Sequence, residues 1–223
     1  MSKLSRGKKG EASVSKTLKA VSKKHYVLED VTFLDDKNEM SHQVDHILIH
    51  PYGIFVIETK NYYGTIEVDA DGAWWKTIRG QKTRISNPLH QNKGHARLLR
   101  KILEARFDII PVVVYAQNNA PYLPDENVIN LEDLLLFIDS YPFSRELNEQ
   151  ETNSVKHSLE ARIADVSAKE HVENIGILKA YRKEKEAEMA YAIERGICPR
   201  CGHKMSHEGY QYRCTNCDFK FSL

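Results

Sequence analysis

"VDHILIHPYGIFVIETKNYYG", residues 44–64, decides the reading of the fold. Two apolar runs flank Pro51-Tyr52-Gly53, a turn-forming trio, so the stretch reads as a β-hairpin built for burial. Yet it carries Asp45, Glu58 and Lys60. Glu58 and Lys60 are two apart on one strand, so their side chains leave the same face. With the turn centred near Tyr52, Asp45 falls opposite Glu58 or Thr59, and a slip of one residue would flip its face. If the three converge, two carboxylates stand together beside one ammonium. Unpaired carboxylates in an apolar sheet repel and are costly to desolvate. A divalent cation removes that conflict, and hard oxygen ligands select Mg²⁺ or Mn²⁺. The chemistry that fits is metal-assisted phosphodiester hydrolysis, with the lysine ordering a water or balancing phosphate charge. The competing reading is a buried salt-bridge set that fixes the hairpin's register.

Working outward, "GEASVSKTLKAVSKK" (10–24) spaces Ala12, Val14, Leu18 and Val21 for an amphipathic helix, and "HYVLEDVTFL" follows as a strand. "GTIEVDADGAWWKTI" reads as a second, more exposed hairpin turning at Asp71-Gly72, with one tryptophan pointing inward. "NPLHQNKGHARLLRKILEA" sets Pro88 at a helix start. "IIPVVVYA" is a strand buried on both faces, and "NLEDLLLFI" a helix opened by Asn130. The order is helix, strand, hairpin, second hairpin, helix, buried strand, helix. This is an α/β layer with a mixed central sheet and flanking helices. Residues 1–143 form that domain. Residues 144–195 are charged and rich in helix formers, and read as a helical connector.

Residues 196–223 are a separate module. Cys198-x2-Cys201 and Cys214-x2-Cys217 are separated by twelve residues, a four-thiolate set for tetrahedral structural Zn²⁺. So short a tail needs a metal to fold. Paired knuckles favour a closed zinc site over redox chemistry, and cysteines used this way point to a reducing, cytoplasmic setting.

Net charge is +1, but it is unevenly spread. Residues 1–24 are net +7, residues 76–106 net +8 and residues 125–195 net −7. The two basic segments suit a polyanion if they share a face, and ordinary solvated helices if they do not. No apolar run is long enough to span a membrane, and no apolar core follows the basic N-terminus as a secretory signal requires.

Asp45 followed by Glu58-x-Lys60, in this element order, resembles the PD-(D/E)xK restriction-endonuclease-like superfamily. More narrowly, "GKKGEASV", the hairpin, the tryptophan of "GAWW" and "NPLHQNKGHARLL" resemble the NERD (nuclease-related domain) family. Val44 stands where the superfamily usually has proline. The resemblance implies a restriction-endonuclease-like mixed sheet and an active site of Glu11, Asp45, Glu58, Lys60 and Gln91. Asp45, Glu58 and the Thr59 carbonyl would hold the metal. It implies a nuclease acting on nucleic acid, with DNA the expected polymer. The tail resembles the zinc ribbon of bacterial type I topoisomerases, which implies a nucleic-acid contact. A non-catalytic nucleic-acid-binding or scaffold protein keeping this fold is the alternative, with protein partners on the helical connector or the ribbon. His46 should face away from Asp45 by strand alternation, and a structural role is expected for it and for His42.

Overall fold

The computed structural model describes residues 3–35, 41–104, 107–117, 125–166, 168–209 and 211–222. They divide into two compact units, Met1–Val166 and Ser167–Leu223.

The first unit is built on a five-stranded sheet of order β1-β2-β3-β7-β8: β1 (Tyr26–Leu34), β2 (Ser41–His50), β3 (Gly53–Lys60), β7 (Ile109–Tyr115) and β8 (Val128–Asn130). The first three strands pair antiparallel, and β3, β7 and β8 run parallel. Every residue of β7 is buried, as a run without polar alternation requires. One sheet face packs on α2 (Pro88–Ile102) and α4 (Glu149–Glu160), burying Ala96, Leu99, Val155 and Leu159 against Val44, Ile47 and Val56. The other face packs on α1 (Lys3–Leu18) and α3 (Leu134–Ser140), through Val14, Leu18, Leu134 and Ile138. A 3-10 turn, Leu131–Asp133, leads into α3. A separate three-stranded sheet follows β3: β4 (Thr65–Val68), β5 (Trp74–Ile78) and β6 (Gln81–Ile85).

Several elements differ from the sequence reading. The first helix starts at Lys3 and ends at Leu18, and Ala12 is exposed. Its buried stripe is Gly10, Val14 and Leu18. Gly10 serves contact here, because a Cβ on it would stand 2.7 Å from Cβ of Asn61. The strand β6 extends the second hairpin to three strands. The connector begins later than residue 144. Leu147 is buried, a capping box of Asn148 and Glu151 opens α4, and Val155 and Leu159 join the core, so the first unit runs to Val166.

The second unit holds one 27-residue helix, α5 (Ala168–Glu194), and a sheet of order β11-β10-β9: β9 (Met205–Glu208), β10 (Gln211–Cys214) and β11 (Lys220–Ser222). Val172, Ile177, Tyr181 and Tyr191 of α5 are exposed. No described helix is long and apolar enough to cross a membrane.

Candidate active site

The hairpin register answers the question that residues 44–64 raise. His50 pairs with Gly53, and the ladder closes at His46 opposite Ile57. One step on by the same count come Asp45 and Glu58, and Asp45 feels the Glu58 charge. There the backbone ladder stops and a side chain takes over: the Thr59 N–H donates to Asp45 Oδ2 at 2.8 Å.

A coordinated irregularity lies behind this. Val44, Ile47 and Ile49 share one core cluster, so strict alternation fails between residues 44 and 47. Across the ladder Leu28, Val31 and Phe33 do the same. Asp30, at the slip, has φ of 50°, a left-handed conformation that Asp tolerates better than most residues. Both strands slip together, so the pairing register is continuous on either side. The kink releases Asp45 from the ladder while His46 stays in it. His46 turns to the α1 side, where Nε2 meets Ser15 Oγ at 2.9 Å, the structural role expected of it.

Glu58 is only 4% exposed. Its Oε1 accepts a hydrogen bond from the Lys60 ammonium, and its Oε2 lies 3.8 Å from Nδ1 of buried His95 on α2. His42 meets the His95 ring edge-on at 5.9 Å between centroids. Burial and repulsion from Glu58 push the Asp45 carboxyl up to about 7, against the pull of the Thr59 N–H. Burial works against the Lys60 charge, but the Glu58 carboxylate more than offsets it and holds the ammonium above its ordinary value. Glu11, brought in by the close approach of α1 at Gly10, feels the same field. Burial and then the Asp30 charge raise its carboxyl, Lys8 opposes them, and Glu58 adds to the rise. The site is thus cation-poor: among the described residues, buried Asp45 and Glu58 share the Lys60 ammonium, while Lys8 acts on Glu11.

The carboxylate oxygens of these three do not all lie within 4.8 Å of one another. The donor set suits a Mg²⁺-type ion held by one or two protein carboxylates and waters. Thr59 sits half-buried between Glu58 and Lys60, with its N–H engaged by Asp45.

Gln91 is exposed on the first turns of α2, one turn before His95. It extends the stripe of His95, Leu98 and Ile102 into solvent. The neighbouring Asn92 is the polar residue that turns inward. It is fully buried and its amide donates to the carbonyls of Val56 and Val112, at 2.7 and 2.8 Å. Asn92 therefore clips α2 to β3 and β7 just below Glu58. The spacing of Asn92, His95, Ala96 and Leu99 was its sequence signal.

A family model for NERD, the nuclease-related domain, matches residues 6–116. An uncharacterized protein of Bacillus anthracis is 31% identical over 176 residues, covering 75% of this chain and 82% of that relative. The chain belongs to the NERD family. No solved structure matches it. The NERD match spans α1 to β7 and contains Glu11, Asp45, Glu58, Thr59, Lys60 and Gln91. It ends well before the cysteines.

In the second unit Cys198, Cys201, Cys214 and Cys217 form a group whose sulfurs all lie within 4.8 Å of one another. Sγ–Sγ distances of 3.4 Å (Cys201–Cys214), 3.5 Å (Cys201–Cys217) and 3.7 Å (Cys198–Cys217) are close to those of four thiolates about 2.3 Å from a tetrahedral ion. The N–H groups of Asn216 and Cys217 both point at Cys214 Sγ, at 3.3 and 3.4 Å. Burial opposes thiolate formation there, but these donors pull the Cys214 thiol down to about 6. The four cysteines can hold a metal such as zinc. His203 and His207 stand outside the group: the first bonds the Cys201 carbonyl and the second stacks on Tyr212.

Proposed function

We propose that this NERD protein is a divalent-metal-dependent nuclease that hydrolyses phosphodiester bonds, with DNA the expected polymer and a zinc ribbon aiding nucleic-acid binding. The observation that carries the reading is the cation deficit at the kink. Asp45 and Glu58 interact at the end of a buried ladder, and among the described residues Lys60 is the one lysine or arginine ion-paired with either. A structural salt bridge would be complete with one carboxylate, whereas the second is held in place and driven to about 7. That is the signature of a ligand set awaiting charge.

Asp45 and Glu58 would hold Mg²⁺ or Mn²⁺, with the Thr59 carbonyl available as a further oxygen. The bound ion supplies Lewis-acid charge against the phosphate and acidifies water. Glu58 fixes the Lys60 ammonium on the strand face it shares. From there Lys60 donates to the attacking water or to a phosphoryl oxygen, in a pocket where burial strengthens the interaction. Glu11 accepts from water on the α1 side. Gln91, exposed at the mouth, donates to the phosphate backbone. In the second unit, Zn²⁺ on the four cysteines would hold β9–β11 together.

The test is a metal panel of Mg²⁺, Mn²⁺, Ca²⁺ and none on plasmid, linear duplex, single-stranded DNA and RNA, with Lys60→Ala as control. Cleavage that needs Mg²⁺ or Mn²⁺ and disappears with Lys60→Ala supports the reading. No turnover on any polymer, with salt-sensitive binding retained, replaces it with the non-catalytic binding protein.

A further inference from the structure

The sheet β4–β6 is joined to the catalytic strand by only four residues, Asn61 to Gly64. One face is anchored: Ile66 and Trp74 are buried with Leu89, Val113 and Tyr115 at the end of β7. Gly64 has φ of 89°, and a Cβ there would lie 2.0 Å from the Thr77 carbonyl, so the linker enters the sheet tightly. The register puts Glu67, Trp75 and Arg84 in one row of the opposite face and Thr65, Thr77 and Lys82 in the next. Every residue from Gln81 to Arg84 is exposed. On this largely exposed face Trp75 stays half-buried.

The Trp75 indole is held in place. Its Nε1–H donates to Asp69 Oδ2 at 2.7 Å, and Asp69 is fixed by the N–H groups of Asp71 and Ala73. Lys82 lies over the ring at 5.3 Å and also reaches Glu67 at 3.1 Å. A second cation–aromatic pair sets Lys76 of β5 over the linker residue Tyr62 at 5.0 Å, next to Tyr63, which is 48% exposed. The carboxylates of Glu67 and Asp69 are thus engaged internally, whereas Arg79 and Arg84 project into solvent.

We propose that this outer face binds single-stranded nucleic acid, with Trp75 as a stacking platform and Lys82 and Arg84 as phosphate contacts. The inference rests on the nuclease reading for why a polymer approaches this end of the sheet. A pre-oriented indole loses little freedom on stacking, and any base offers it a π-face. Bases in a duplex are already stacked, so only an unpaired strand can use Trp75. Lys82 moves from the ring to a phosphate as a base takes its place.

The test uses the full-length Lys60→Ala chain with Mg²⁺ omitted, titrated with a short oligothymidylate and with a duplex of equal length, read by tryptophan fluorescence and anisotropy. The expected result is quenching by oligothymidylate, an affinity about tenfold weaker for Trp75→Ala and within a few-fold for Trp75→Phe. Duplex affinity is unchanged by either. Arg84→Ala weakens both and lowers the salt slope by about 0.7 on single strands. Because Trp75→Ala also removes the Asp69 bond, circular dichroism checks its fold. If that variant unfolds, retained binding by Trp75→Phe with indole quenching in the parent decides for the proposal, and an unquenched indole decides against it. Equal oligothymidylate affinity for folded Trp75→Ala, or equal losses on duplex and single strand, overturns it. Binding that depends on Trp75 in a protein that cleaves nothing leaves this proposal standing and removes the nuclease reading. Cleavage with Trp75-independent binding does the reverse.

Discussion

Asp45→Asn should make this protein more stable and catalytically dead. The carboxyl rises from an ordinary 3.8 to about 7 in the fold. Below pH 3.8 the side chain is neutral in both states and costs nothing. Between the two values the native state keeps a proton that the unfolded chain has lost, so stability falls as pH rises. Above pH 7 the full cost applies, roughly 4 kcal/mol from a shift of about three units, and nearer 2 kcal/mol if Glu58 and Lys60 relax. An asparagine is close to isosteric, keeps an oxygen for the Thr59 N–H and carries no charge for Glu58 to repel. At pH 8 without divalent metal, Asp45→Asn should raise Tm by about 10 °C, at 2–4 °C per kcal/mol for a chain of this size. The gain should shrink steadily towards pH 4. Mg²⁺ should raise the Tm of the parent and leave that of Asp45→Asn unchanged. Calorimetry from pH 4 to 8, with and without Mg²⁺, measures all three effects. A variant no more stable than the parent at pH 8 would refute the claim that Asp45 is held against its electrostatic preference, and the case for a metal would go with it.

Lys60→Ala should lower the rate of cleavage by at least about 100-fold with little change in substrate affinity, read from single-turnover kinetics against binding. Gly10→Ala should lift α1 off Asn61 and displace Glu11, so activity should fall while the melting transition drops only modestly. His50 is buried, and burial lowers its imidazole to about 4. Its folded value lies below its unfolded value of 6.5, so its contribution is present above pH 6.5 and is lost as pH falls towards 4, by up to about 3 kcal/mol. This opposes the Asp45 slope over the same window, so Asp45→Asn should be visibly more acid-sensitive than the parent in a pH–Tm series. Cys217→Ser or strong chelation should release one zinc per chain by elemental analysis, and proteolysis should then cut within residues 198–222 first.

The hairpin, its turn and the inward tryptophan Trp74 were legible because apolar alternation and turn chemistry are local. Asp45 was placed opposite Glu58 or Thr59 by counting from the turn. The kink that decides its face was not legible, because it depends on Asp30 in a different strand. The strand β6, "QKTRI", carries no apolar alternation and is defined only by its pairing with β5. The connector's start was read too early because charge composition outweighed a weaker signal, the capping box and the stripe of Thr152, Val155 and Leu159. Gln91 and Asn92 illustrate a limit of helical spacing: neighbours 100° apart on a helix point to solvent and core, and a sequence leaves the phase open by about one residue.

These features bear on one another. A β-ladder satisfies its own backbone groups, so a site cannot open within it without leaving a donor unpaired. The kink at Asp30 and Asp45 solves this by letting a carboxylate side chain take the Thr59 N–H. The same bond that caps the ladder fixes Asp45 opposite Glu58. Asn92 does the parallel work on the other flank, drawing Val56 and Val112 to α2 and so holding the strand that carries Glu58. On the nuclease reading the charged groups are therefore more than an ion network that stabilises the hairpin. The backbone is satisfied whether or not Asp45 is ionised, since a neutral carboxyl or an amide accepts the same bond. What ionisation adds is the cost of burial and repulsion from Glu58, which outweigh the pull of the Thr59 N–H and of Lys60, and on the nuclease reading a bound cation is what would offset that cost.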